Sequence, residues 1–102
     1  MQMDTTLFEL AEKQAALCKI LGNSRRLFIL WQLSNEELSV NEIAIRVGST
    51  LQNVSQHLNL LKKTGIVVSR RDAQTIYYQL ADHEFVRGCL ARHSQALDKL
   101  LK

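Results

Sequence analysis

The chain has 102 residues, 46% hydrophobic and 23% charged, with a net charge of +3; this is enough apolar content for one folded domain and excludes wholesale disorder. At this size part of the apolar surface needs a partner subunit, so an oligomer is expected. No apolar run approaches the ~20 residues of a membrane span, and the acidic start MQMDTTLFELAEK lacks the basic region of a signal peptide, so the expected location is the cytoplasm, with no membrane partner.

Asp4 or Thr5 can cap a first helix, over about 5–21, in which Leu7, Leu10, Ala11, Ala15, Leu17, Cys18 and Leu21 spread apolar character over more than one face. Gly22 closes it. Asn23 or Ser24 then caps a second helix whose Leu27, Phe28, Leu30, Trp31 and Leu33 are expected to lie inward. Arg25 and Arg26 occupy its first turn, where the helix dipole favours acids. The pair is therefore expected either to take a phosphate or a carboxylate partner or simply to be exposed.

After a loop over Ser34 to Leu38 comes the stretch that organises the chain, SVNEIAIRVGSTLQNVSQHLNLLKKTG, from Ser39 to Gly65. Val40, Ile43, Ala44 and Val47 fall at the i, i+3, i+4, i+7 spacing of one helical face. Gly48 ends that helix, because glycine enters the left-handed C-cap conformation at no Cβ cost. Ser49 and Thr50 offer hydroxyls to cap the next helix. There Leu51, Val54, Leu58 and Leu61 form a second apolar stripe, leaving Gln52, Asn53, Ser55, Gln56 and Asn59 on the other side. A solvated helix face is ordinarily rich in Glu and Lys, whereas this one carries amides and hydroxyls, with no charge from Thr50 to Gln56. Such groups donate and accept at once, as reading base edges in a major groove requires. Two helices joined at a glycine corner, the second bearing that face, are a helix-turn-helix signature.

From Ile66 the period changes. Ile66, Val67 and Val68, then Ile76, Tyr77, Tyr78 and Leu80, are β-branched, aromatic or aliphatic, and read as two antiparallel strands turning at Asp72, Ala73 and Gln74. A hairpin directly after a recognition helix is a wing, with Arg70 and Arg71 near its tip, placed to follow a backbone or enter a minor groove. Asp82 can cap a last helix, Glu84 to Leu101, with Phe85, Val86, Cys89, Leu90, Ala96, Leu97, Leu100 and Leu101 apolar. The wing is too small to cover so apolar a helix, so the first and last helices are expected to pair across a twofold axis. Two recognition helices would then sit about one DNA turn, roughly 34 Å, apart.

Charge supports the same reading. From Ile43 through Arg71 there is no Asp or Glu, while Arg46, Lys62, Lys63, Arg70 and Arg71 are basic. A one-sign field over a helix-turn-helix suits phosphate binding with counterion release. The expected architecture is thus mainly α with a β wing: one winged helix-turn-helix domain over 1–102, with about five helices and a two-stranded β-hairpin. Dimerisation helices are expected at about 5–21 and 83–101, the helix-turn-helix at about 39–65 and the wing at about 66–80.

LGNSRRLFILWQL, ELSVNEIA and STLQNVSQHLNLLKKTGIVVSRRDAQTIYYQLAD together resemble the ArsR/SmtB family of small dimeric bacterial repressors, from about Leu17 to Asp82. The most specific features are Asn23, Arg25, Arg26 and Leu27, the run Val54 to Gly65, and the wing Arg70 to Tyr78. The resemblance implies a winged-helix homodimer on an operator near its own promoter, released by an inducer that the sequence does not identify. Family ligand clusters map poorly onto this chain. The two cysteines of the arsenical site fall on Ser39 and Asn41, and the terminal-helix zinc site on Asp82, Glu84, Gln95 and Asp98, a set without the imidazoles zinc favours. No metal or other cofactor is therefore expected, with a displaced site at His83 and His93 as the alternative. The HlyU-like, sulfide-responsive branch is nearest in the wing and helix-turn-helix, but its second-helix cysteine falls on Trp31. Cys18 and Cys89 remain as a candidate redox pair, against the stronger reading that each packs as a small hydrophobe; no structural disulfide is expected.

The leading function is DNA-binding repression. Gln52, Asn53, Ser55 and Gln56 would read bases, and Ser49, Thr50, Lys62, Lys63, Arg70 and Arg71 would hold phosphates. His57 either joins the phosphate set or packs against the turn. The alternative of a protein-interaction module predicts an apolar or acidic recognition face, which is not what Thr50 to Gln56 carries. An enzyme is not expected, because no nucleophile, phosphate-loop or HExxH pattern occurs.

Overall fold

The computed structural model describes residues 5–82 and 86–88. The elements run α1 (Thr5–Leu21), α2 (Ser24–Gln32), β1 (Leu38–Ser39), α3 (Val40–Val47), α4 (Leu51–Lys63), β2 (Val67–Asp72) and β3 (Thr75–Leu80). Residues 86–88 are helical, and Val86 is buried. The rest of the expected last helix, with Cys89, His83 and His93, lies outside the described residues, as does Asp4.

Local chemistry explains each helix end. The Asn23 side-chain oxygen accepts from the Arg26 N–H at 3.1 Å, capping α2. Ser39 and Glu42 form a reciprocal capping box at α3: Ser39 Oγ accepts from the Glu42 N–H at 3.2 Å, and the Ser39 N–H donates to Glu42 Oε1 at 3.1 Å. The bond from the Ser39 N–H, and after it the Ser39 side chain, hold the Glu42 carboxyl below its usual pKa. Thr50 Oγ1 accepts from the Asn53 N–H at 3.1 Å to start α4. Gly48 ends α3 at φ +65°, as the sequence predicts. Gly65, at φ +80°, closes α4 with paired bonds from the Gly65 N–H to the Lys62 carbonyl and from the Ile66 N–H to the Leu61 carbonyl.

The sheet differs from the expected two-stranded hairpin. It has three antiparallel strands in the order β1-β3-β2, because Leu38 and Ser39 pair with Tyr78 and Tyr77. The stretch expected as loop thus supplies a short edge strand that ties the wing to the N-cap of α3. The hairpin itself is longer than the apolar runs suggest, with pairs from Val67↔Leu80 to Asp72↔Thr75. Ala73 turns the corner at φ +57°, a conformation that a residue with a Cβ rarely adopts.

Leu30, Ile43, Val54, Leu58, Leu61 and Ile66 are fully buried, joining α2, α3, α4 and the start of the wing. Two expected core positions move outward. Phe28 is 42% exposed and Ile29 takes the inner place, since α2 turns that side toward α3. Leu51 is 50% exposed because it is the first residue of α4, ahead of the turns that reach the core. α1 is different again: Leu21 is its one buried residue, while Leu7, Phe8 and Leu10 are exposed. Cys18, expected as a buried small hydrophobe, is exposed as well, because among the described residues α1 packs mainly at its C-terminal end.

Candidate nucleic-acid interface

At about 100° per residue, α4 sorts its side chains into three sectors. Val54, Leu58 and Leu61 anchor the inner sector in the core. Gln52, Gln56, Asn59 and Lys63 stand opposite them and are exposed. Asn59 falls on the same outer row as Gln56, three residues on, and joins the exposed polar face by the i, i+3 spacing. No acid interrupts this face.

The flanks are occupied. On the α2 side the Ser49 hydroxyl donates to Asn53 Oδ1 at 3.0 Å and accepts from Arg25 Nη1 at 3.3 Å, so the turn, α4 and α2 are linked by a short polar chain. Asn53 therefore has its amide oxygen engaged inside the protein. His57 lies on the same flank, half-buried; burial, then the Arg26 and Arg25 cations, push its pKa below the usual imidazole value. Arg26, also half-buried, has its Nε enclosed without a hydrogen bond. On the other flank Ser55 and Leu51 face Gln74, Thr75 and Ile76 of the wing across an open groove of about 300 Å³.

Of the expected phosphate ligands, Thr50 is committed as the cap yet exposed, and Ser49 sits half-buried in the turn. Lys62 and Lys63 are exposed in the last turn of α4, where they also complement the helix dipole. Arg71 is exposed on β2 and makes no ion pair among the described residues. Arg70 is engaged. Its Nε donates to both Glu37 carboxylate oxygens at 2.9 Å and its Nη2 to Glu37 Oε1 at 2.6 Å, while the guanidinium lies 4.7 Å from the centre of the Tyr77 ring. Those bonds to Glu37 raise the Arg70 pKa further. Arg70 thus clasps the wing to the segment before β1, a role that a partner 33 residues away in sequence conceals. Arg46 likewise pairs with Glu36 at 2.7 Å.

The sequence profile of a helix-turn-helix domain family matches residues 21–70. The transcriptional regulator KmtR of Mycobacterium tuberculosis is 44% identical over 69 residues, 68% of this chain and 52% of KmtR, so the match spans about half of that protein. The transcriptional activator HlyU of Vibrio cholerae is 42% identical over 72 residues, 71% of this chain and 67% of HlyU. The structure of reduced V. cholerae HlyU superposes with a TM-score of 0.84 at 32% identity, covering 91% of this chain and 97% of that one. The homodimeric winged helix-turn-helix DNA-binding domain of Mb0332 from Mycobacterium bovis, a possible ArsR-family regulator, superposes with a TM-score of 0.79 at 35% identity, covering 98% and 91%.

Proposed function

Because the chain belongs to the ArsR/SmtB family of winged helix-turn-helix transcriptional regulators, in its HlyU-like branch, we propose that it is a homodimeric repressor that lays the outer face of α4 into the major groove of each half of a pseudo-palindromic operator. The observation that carries this reading is the exposed, acid-free row Gln52, Gln56 and Asn59 on a helix fixed from behind by three buried side chains. Bidentate amides of this kind suit adenine. Gln52 and Gln56 read bases with Asn59 beside them, and Ser55 contacts the edge of the groove. Ser49, Thr50, Lys62, Lys63 and Arg71 take phosphates. Asn53 and His57 brace α4 from the α2 side, and Arg70 sets the wing through Glu37. The apolar face of α1 supports a dimer formed by the first and last helices within a single domain over 1–102, acting in the cytoplasm. Among the described residues no helix is long and apolar enough to cross a membrane.

Fluorescence anisotropy on a duplex from the gene's own upstream region, against a scrambled duplex at several salt concentrations, tests this. Preference for the upstream duplex by about 10³-fold or more is expected; equal affinity for both would remove the operator. The same titration after treatment with a disulfide oxidant addresses release. Loss of binding that Cys18→Ser abolishes makes the thiols the signal, and unchanged binding removes them.

A further inference from the structure

A cavity of about 520 Å³ lies between α2 and the helix-turn-helix, and of the residues assigned to DNA only Ser49 lines it. Its volume falls within the roughly 300–1,000 Å³ of pockets that hold drug-sized molecules. Phe28, Trp31 and Val54 give it apolar walls, and Arg25, Ser49 and Asn53 gather their polar groups in it. No acid lines it. Arg25 makes one hydrogen bond, the 3.3 Å contact to the neutral Ser49 hydroxyl, and no ion pair among the described residues. A guanidinium left with most of its donors unspent beside an apolar chamber is suited to an anion carried on an apolar body.

We propose that this cavity binds a small amphipathic carboxylate, its apolar body between Phe28 and Trp31 and its carboxylate on Arg25. Such a ligand is the inducer of the regulator described above, and in that respect the inference rests on the proposed function. The route to DNA is short. A carboxylate that draws Arg25 away from Ser49 removes one end of the Arg25–Ser49–Asn53 chain, which holds the turn against the first turn of α4. The first helix of a second subunit, which carries Glu9 and Glu12, is the competing occupant that the experiment separates from a small ligand.

Trp31 is the only tryptophan in the chain and lines the cavity, so binding is read without DNA. The probe is 4-phenylbutyrate, with 4-phenylbutanol as its neutral counterpart, titrated against the intact protein while Trp31 emission is followed. A saturable change is expected, with the acid binding more tightly than the alcohol. Arg25→Gln should weaken the acid at least tenfold and leave the alcohol unchanged, whereas Phe28→Ala should weaken both alike; thermal melts confirm that each variant folds. No saturable change, equal loss of acid and alcohol in Arg25→Gln, or an Arg25→Gln dimer that dissociates more readily would overturn the site, the last by assigning the cavity to the partner's first helix. If the acid binds through Arg25 while the protein shows no preference for its upstream DNA, the site stands and the repressor reading falls. If operator binding is normal but 4-phenylbutyrate at saturation does not release it, the inducer role is refuted.

Discussion

α3 and α4 hold themselves in place, and α1 does not. Between them α3 and α4 bury Ile43, Val54, Leu58 and Leu61 completely, begin at side-chain caps and end at left-handed glycines. α1 is longer than either, at 17 residues, yet it buries only Leu21 and leaves Leu7 63% and Leu10 56% exposed. The helix-turn-helix is therefore complete within one chain, while α1 presents, among the described residues, an apolar face that the proposed dimer would cover. In the proposed dimer, the position of α4 is set within its own subunit, and the spacing of two such helices by how the subunits pair. The sequence similarity follows the same division, since the matched family profile, over 21–70, includes α3 and α4 but leaves out almost all of α1.

Substitutions can separate the two regions. The largest loss is expected from Leu58→Ala, which empties a fully buried site in α4 and should cost about 2–5 kcal/mol in denaturant unfolding. Leu10→Asp, on the exposed face of α1, should leave the helical content intact but raise the dimer dissociation constant by about a hundredfold, about 2.7 kcal/mol, in sedimentation equilibrium. A stable Leu10→Asp dimer would place the interface elsewhere. Smaller again, Ser39→Ala removes the α3 cap and should cost about 1 kcal/mol. Its dependence on pH has a definite sign. The Glu42 pKa is lowered by folding, so the stabilisation from that carboxylate is present above the unfolded glutamate pKa of about 4.3 and disappears as pH falls through the lower folded value. The difference between wild type and Ser39→Ala should shrink over that acidic range.

The helix-turn-helix was legible because its signals are local. Ser39, Gly48, Thr50 and Gly65 each act within a few residues of where they stand, and the stripe of α4 repeats over nearly three turns. What escaped reading depends on distant partners. Two residues, Leu38 and Ser39, have no period to detect and become a strand only when Tyr77 and Tyr78 arrive beside them. Arg70 reads as a free tip cation until Glu37 is found to hold it. Asn53 belongs by composition to the amide face, but the helical phase turns it toward Ser49. Phe28 and Ile29 are adjacent apolar residues on a nine-residue helix, and only the positions of α1 and α3 decide which one is buried.

In the proposed complex the outer row of α4 reads sequence while the surrounding cations hold the backbone. Paired titrations of Gln56→Ala and Arg71→Ala on the upstream and scrambled duplexes across a salt series test it most directly. Gln56→Ala should lose about 1–3 kcal/mol on the upstream duplex and almost nothing on the scrambled one. Arg71→Ala should weaken both alike and reduce the salt slope by about one. Equal losses on both duplexes for Gln56→Ala would contradict direct readout from this face.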